Sequence, residues 1–503
     1  MSSAKEPVTR RFGNGLTVLI KEDKSHPVVS LQYWVGTGSM NEGHWQGSGL
    51  SHLLEHLVFK GTAHFSGQEL ARKVQERGGH WNAYTSVNRT VYYIDGPAES
   101  WQIFLNLLTE LVFFPTFPED EMEREKEVVR REMAMYADDP DSVAYQLLMQ
   151  TLYLKHPRRW PVLGERAAFD CLTRQDVLDY HASRYVPNNV VLSIAGDVDA
   201  AEILSHLELL VEDLKSRPLN REPIPHEPHQ FGSRRVRKEF AVPYSKLHLA
   251  WRLPCSAHPD TPALSALSSI LGGGRSARFY EKFHDRLGLV YSIEVHSNQS
   301  ETDEGAFTIS MDVDRAQRDK VRDLVLQELR NLAEEDFTED LKRVCKQTRV
   351  SRLRRRSSAS GVASEMGADW FGSRNLNLSS EWQEAIERVT TEDLHRVCST
   401  WLSSPNVTEV SLDPPGSNAG DEERASASAG TALSEHVLGN GMKVVIREDH
   451  RLPLAYACMA FKAGCRAENE HDAGVTDLMS ECLLKGTSTR SAADIARFLE
   501  DIG

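Results

Sequence analysis

Gly49-Leu-Ser-His-Leu-Leu-Glu-His-Leu-Val-Phe59 is the stretch from which the rest of the chain can be read. It predicts a helix from about Ser48 to Phe59. His52 and His56 are four apart, so they share a face one turn apart, a spacing that lets two imidazoles bind one metal ion. Glu55 lies on the same side, placed to act on a water at such an ion without ligating it. Two histidines and a glutamate can also simply coat a solvated surface. Here, however, they sit among Leu50, Leu53, Leu54, Leu57, Val58 and Phe59. An apolar helix with three ionisable groups on one side needs a reason to bury them.

Outward from this helix, Leu16–Ile20 and Val28–Val35 are β-rich runs bounded by turn residues. Gln68–Arg77 reads as a helix closed by Gly78-Gly79. Trp81–Thr85 and Thr90–Asp95 read as short strands around a tight connection. An apolar helix follows from Trp101 to Phe113, and a long charged one from Pro118 to about Tyr136. Strands and helices mix without strict βαβ alternation, which favours an α+β class over a doubly wound sheet. In the charged helix, Met122, Val128, Val129, Met133 and Tyr136 suggest an apolar stripe into which Glu125 and Glu132 fall. A catalytic metal wants a third protein ligand and an open position for water. The two acids lie two turns, about 10.5 Å, apart along the axis. Spacing alone leaves Glu132, Glu125 or a later acid open as the ligand.

The chain has 503 residues, 40% of them hydrophobic, and its length predicts about two to four domains. Its net charge of −15 disfavours binding to nucleic acid or to an anionic membrane, since both need a basic face. The basic run Arg352–Arg356 continues a helical stretch and reads as a solvated face. Seven scattered cysteines form no CxxC pair, which argues against disulfides and cysteine-zinc knuckles. No run approaches about 18 consecutive apolar residues, and the N-terminus shows no apolar leader, so a cytoplasmic location is expected, or a periplasmic or organellar one after processing.

Two proline-rich or low-complexity stretches, 216–233 and 413–432, read as linkers. They divide the chain into modules at 1–215 and 234–412 and a short remainder, 433–503. That remainder repeats the beginning. Leu438-Gly-Asn-Gly-Met-Lys-Val-Val-Ile-Arg-Glu-Asp449 copies Phe12-Gly-Asn-Gly-Leu-Thr-Val-Leu-Ile-Lys-Glu-Asp23, and Lys485-Gly-Thr487 copies Lys60-Gly-Thr62. The copy reaches only the middle of the module, as though truncated. Aligned on these repeats, Asp477 and Glu481 stand where His52 and His56 stand in the first copy, a poor zinc site for which no metal is expected.

His52-Leu-Leu-Glu-His56, the reversed H-x-x-E-H motif of inverzincins, together with Glu125 and Glu132, resembles the pitrilysin/insulinase family of zinc metallopeptidases, which includes mitochondrial processing peptidase. Gly78-Gly-His-Trp-Asn-Ala-Tyr-Thr85 and Gly272-Gly-Gly274 with Gly288-Leu-Val-Tyr-Ser292 extend the match over nearly the whole chain. The resemblance implies one zinc ion per chain, held by His52, His56 and Glu132, with Glu55 as general base and Glu125 as an acidic helper. It implies Asn82 and Ala83 on an edge strand that pairs with extended substrate, although Asn82 by itself reads as a turn residue. It also implies repeated two-layer modules, a largely antiparallel sheet with helices on one face, arranged as one half of a clamshell with the start of a second. The expected activity is that of an endopeptidase acting on peptides or small unfolded chains inside a chamber, which missing C-terminal modules or a partner chain would close. The alternatives are a non-catalytic scaffold of the same fold and a processing peptidase for basic presequences. Short members borrow an arginine and a tyrosine from the second module of a partner chain. Here His284 occupies the arginine position, so Tyr291 reads as a packed aromatic. His64 and His80 read as surface or packing residues.

Overall fold

Val28–Val35 is apolar at six of its eight positions, all but Ser30 and Gln32, and a strand reads that way when both of its faces are covered. The computed structural model describes residues 6–219, 223–298, 305–402 and 405–415, with parts of 434–495, and shows what covers them. The first sheet contains β1 (Val8–Arg11), β2 (Thr17–Glu22), β3 (Val28–Val35), β4 (His80–Thr85), β5 (Thr90–Pro97) and β6 (Val190–Gly196). Their order is β1-β2-β6-β3-β5-β4, antiparallel throughout except for the β2–β6 pair. On one face lie the helices α1 (Leu50–Val58), α2 (Gly67–Gln75), α3 (Trp101–Phe113) and α4 (Glu119–Asp138). Leu31, Tyr33 and Val35 of β3 pack there with Leu53, Leu57, Phe104 and Leu108 in the main core.

The second sheet contains β7 (Arg234–Glu239), β8 (Ser245–Leu253), β9 (Val290–Asn298), β10 (Gly305–Val313) and β11 (Thr408–Asp413), in the order β7-β11-β8-β10-β9. Strand for strand this repeats β2-β6-β3-β5-β4, including the one parallel pair, β7 with β11. The helix that follows β8, Thr261–Gly272, stands where α1 stands after β3, yet its sequence, TPALSALSSILG, carries no histidine or acid. The architecture is duplicated and the ionisable cluster is not.

The helix layer expected on one face of each sheet is present, and the opposite face is covered as well, by a helix exchanged between the modules. Helix α5 (Pro140–Leu152) lays Leu148, Met149 and Leu152 against Ala250, Ala306 and Val410 of the second sheet. In return, the helix Ala359–Ser373 lays Val362, Ala363 and Met366 against Leu19, Trp34, Val91 and Val191 of the first. Polar ties fix its register: Gln32 Nε2 donates to the Ser360 carbonyl at 3.1 Å, and Ser193 Oγ donates to the Ala363 carbonyl at 2.7 Å. Within the stretch 216–233, Glu227 is tied down: it accepts the backbone N–H groups of Leu154, Lys155 and His156 at 2.7, 2.8 and 2.9 Å. The basic run is only partly the solvated face expected of it. Arg354, Arg355 and Arg356 are exposed and Arg352 is half-buried, and both Arg352 and Arg356 donate to the buried Glu365, because a buried carboxylate requires cationic partners.

Residues 428–503 form a separate unit. Its hairpin, Ser434–Val437 with Lys443–Ile446, and its helix, Val475–Cys482, correspond to β1, β2 and α1 in the repeated sequence. The side chains of Asp477 and Glu481, and residues 416–432 of the second linker, lie outside the described residues. Among the described residues no helix is long and apolar enough to cross a membrane.

Gly367 sits at a close approach in the exchange, because an added Cβ would fall 2.3 Å from Trp34 Cε2. Gly367→Ala should therefore cost about 1–3 kcal/mol by overpacking. Denaturant unfolding measures it, and a midpoint equal to that of the wild type would contradict this packing.

Candidate metal centre

Helix α1 is apolar on most of its surface, and Leu50, Leu53, Leu54, Leu57 and Val58 are buried. That burial carries His52 into the interior and leaves Glu55 and His56 half-buried on the side facing α4. Helix α4 turns Glu125 and Glu132 toward them. His52 Nε2 and His56 Nε2 each lie 3.9 Å from Glu132 Oε2, and the two imidazole rings are 4.7 Å apart between centroids. Of the acids left open by spacing, Glu132 is thus the one brought to both histidines. Among the described residues this trio is the only group of three or more His, Cys, Asp or Glu whose ligand atoms converge, all within 4.8 Å of one another.

Glu125 occupies a different place. Its Oε2 lies 3.2 Å from His56 Nδ1 and its Oε1 lies 2.6 Å from Lys60 Nζ. A proton on His56 Nδ1 is held by this carboxylate, which leaves the Nε2 lone pair turned toward Glu132. Burial alone would raise the Glu125 pKa, but His56 and Lys60 overcome it and hold the group below the usual carboxylate value. Burial likewise opposes protonation of His56, and the surrounding Glu125, Glu55 and Glu132 override it and raise its pKa. His52 lacks such support. Burial, aided by the neighbouring His56, lowers its pKa to about 3, so its ring stays neutral as a metal ligand must. Glu55 is raised by burial, with Thr85 Oγ1 tempering the effect by donating to Oε2 at 2.5 Å.

The donor set fits a zinc ion. The 3.9 Å gaps are too long for hydrogen bonds, so the two Nε2 atoms and the carboxylate oxygen face one another without bonding to one another. A tetrahedral ion with bonds of about 2.0–2.2 Å holds its ligands roughly 3.3–3.6 Å apart, so a small closure would seat it. Two imidazoles and one carboxylate are a combination that leaves a position open for water.

The stripe expected along α4 requires correction. Val128 and Tyr136 are 42% and 44% exposed, whereas the buried positions are Met122, Glu125, Lys126 and Val129. Residue type misled because the buried polar groups have partners: Lys126 Nζ donates to the carbonyls of Leu172 and Asp170 at 2.9 and 3.3 Å. Asn82 is exposed on β4, the edge of the first sheet, and its Oδ1 accepts the Ala83 N–H at 2.8 Å; Ala83 packs on the core. Tyr291 packs its ring against Tyr244 at 5.3 Å between centroids, but at the surface and not in a core. It is 46% exposed, on the edge strand β9, where its hydroxyl donates to Asp314 Oδ1 at 2.9 Å. His284 stacks on Tyr280 and contacts the Asp285 carboxylate at 2.8 Å. His64 is exposed and paired with Glu110, and His80 is exposed beside Tyr93. Lys60 and Thr85 were quoted in the sequence motifs without a role. The recurrence of Lys-Gly-Thr at 485–487 was the available signal for Lys60.

Comparison with known proteins shows the family to which such a chain is similar. The family described as Insulinase (Peptidase family M16) matches residues 17–166 and again 443–503, and the family described as Peptidase M16 inactive domain matches 172–347. An uncharacterized zinc protease of Mycobacterium tuberculosis is 30% identical over 299 residues, 58% of this chain and 67% of its own length. An uncharacterized zinc protease of Bacillus subtilis, YmxG, is 27% identical over 76% of this chain and 92% of its own length. The crystal structure of a protease from Helicobacter pylori superposes with a TM-score of 0.74 at 26% identity, covering 81% of this chain and all of the other. With its motif helix, its repeated sheets and these relatives taken together, the chain belongs to the insulinase family, peptidase family M16.

Proposed function

We propose that the protein is a zinc-dependent endopeptidase that hydrolyses peptides or small unfolded polypeptides. The observation carrying this reading is the convergence of His52, His56 and Glu132 at gaps suited to one cation, with Glu55 on the same helix. His52, His56 and Glu132 would hold one zinc ion. When bound, zinc supplies Lewis acidity, polarising a carbonyl and activating water at neutral pH.

Glu55, anchored at Oε2 by Thr85, takes a proton from the attacking water. As the C–N bond breaks, the same carboxylate delivers that proton to the leaving amine nitrogen. Burial, the main cause of its raised pKa, makes the carboxylate a stronger base than one in water. Glu125 orients His56 and is itself steadied by Lys60. Substrate lies extended along the free edge of β4 at Asn82 and Ala83, read through its backbone, which favours broad side-chain tolerance. Enclosure comes from a second clamshell half, provided by further modules or by a partner chain.

Glu55→Gln should keep stoichiometric zinc while turnover of a quenched peptide falls about 10²–10⁴-fold; wild-type turnover would remove Glu55 from the role of base. His56→Ala and Glu132→Ala should each lose zinc on dialysis, followed by metal analysis, and full retention would point to other ligands. Glu125→Ala should weaken zinc about 10–100-fold without abolishing binding, as read by chelator competition.

A further inference from the structure

The two histidines are anchored unequally. His56 is held by Glu125, whereas His52 Nδ1 is shut off from solvent and has no hydrogen-bond partner among the described residues. The position of His52 therefore depends on the backbone that carries it, the first turn of α1. A helix start leaves free N–H groups that need acceptors. The residue in the capping position is Gly49, at φ 73°, which offers no side chain.

The acceptor comes from outside the helix. Glu42 is fully buried, and its Oε1 accepts the Ser51 N–H at 2.9 Å, one residue before His52. Burial lifts its pKa to about 8 against the opposing pull of Ser51 and the amides of Gly49 and Gly47. Ser51 is tied a second time, through its hydroxyl to Tyr180 at 2.8 Å, and Tyr180 in turn bonds Thr37 at 2.6 Å. Gly49 itself is wedged against another segment: an added Cβ would fall 2.0 Å from the Leu163 carbonyl oxygen. The entry of α1 is thus pinned from three directions, although the turn that follows carries a ligand with no side-chain support.

We infer that Glu42 is a positioning residue for the metal site, fixing the first turn of α1 and through it the placement of His52 against Glu132. The inference rests on the zinc-peptidase reading. Ligand geometry tolerates only about 0.5 Å of error, so loosening this turn disturbs the metal before it unfolds the protein. Glutamine keeps an acceptor oxygen of the same reach as Glu42 Oε1, alanine removes it, and aspartate withdraws it by one methylene.

The test measures zinc affinity by chelator competition for the full chain and its Glu42→Ala, Glu42→Asp and Glu42→Gln variants. Leu247→Ala, at a buried position of the second sheet, is the control for general destabilisation. Glu42→Ala should bind zinc about 10–100-fold more weakly, and Glu42→Gln should restore affinity close to wild type. Leu247→Ala should lower the melting temperature and leave zinc affinity unchanged. Wild-type affinity in Glu42→Ala, an equal loss in Leu247→Ala, or a Glu42→Gln as weak as the alanine variant overturns the positioning role. Should Glu42→Ala not fold, Glu42→Asp decides in its place: weakened binding supports the role and wild-type affinity overturns it. A wild-type chain that takes up no zinc overturns the zinc reading together with this inference, an outcome distinct from a normal wild type with an unaffected Glu42→Ala.

Discussion

The constraint on which the site depends is the contact of α1 with α4 across a mostly apolar interior. Placing Glu132 Oε2 3.9 Å from two imidazole nitrogens brings ionisable groups together where water is scarce. Such a cluster is costly unless each member has a counterpart. Glu125 answers His56 and is answered by Lys60, and Thr85 answers Glu55. Only the inward faces of His52, His56 and Glu132 are left facing one another. A divalent ion would resolve that arrangement in a way that no hydrogen bond at 3.9 Å can.

The scaffold meets the same demand on a larger scale. A sheet covered on one face only would leave Leu19, Trp34, Val91 and Val191 against water, and these residues are apolar because the helix Ala359–Ser373 covers them. Helix α5 provides the same cover to the second sheet. Exchange makes each module part of the other's core. Helix α5 begins directly after α4, so the element presenting Glu132 leads straight into the one that locks the two modules together. The helix that carries Glu132 is thus continuous in the chain with the helix that packs on the second sheet.

How much of the site was legible followed from how local its determinants are. The H-x-x-E-H spacing is set by the pitch of one helix, so His52, Glu55 and His56 could be placed on one face directly. Glu132 could not be chosen over Glu125 by spacing, because both lie on one helix and only the tilt of that helix against α1 decides which reaches the two Nε2 atoms. Tyr291 packs on Tyr244 as expected of it, but its exposure could not be read, because an aromatic on an edge strand has the same local sequence as one in a core. Val128 and Tyr136 were misread for the converse reason, since an apolar type on a charged helix says nothing about which side faces inward. Glu42 gave no signal at all: an acid in a glycine-rich loop reads as solvated until the fold closes over it.

What the sequence determined by itself was whatever short-range geometry controls: the α+β class, the motif helix and the repeated Gly-Asn-Gly and Lys-Gly-Thr segments. Tertiary structure alone decided which acid completes the trio, that Glu125 supports His56 instead of completing the cluster, and that a helix from each module caps the sheet of the other. Each of these depends on contacts between residues far apart in the chain, where burial and partner availability outweigh local preference, and neither can be evaluated one segment at a time.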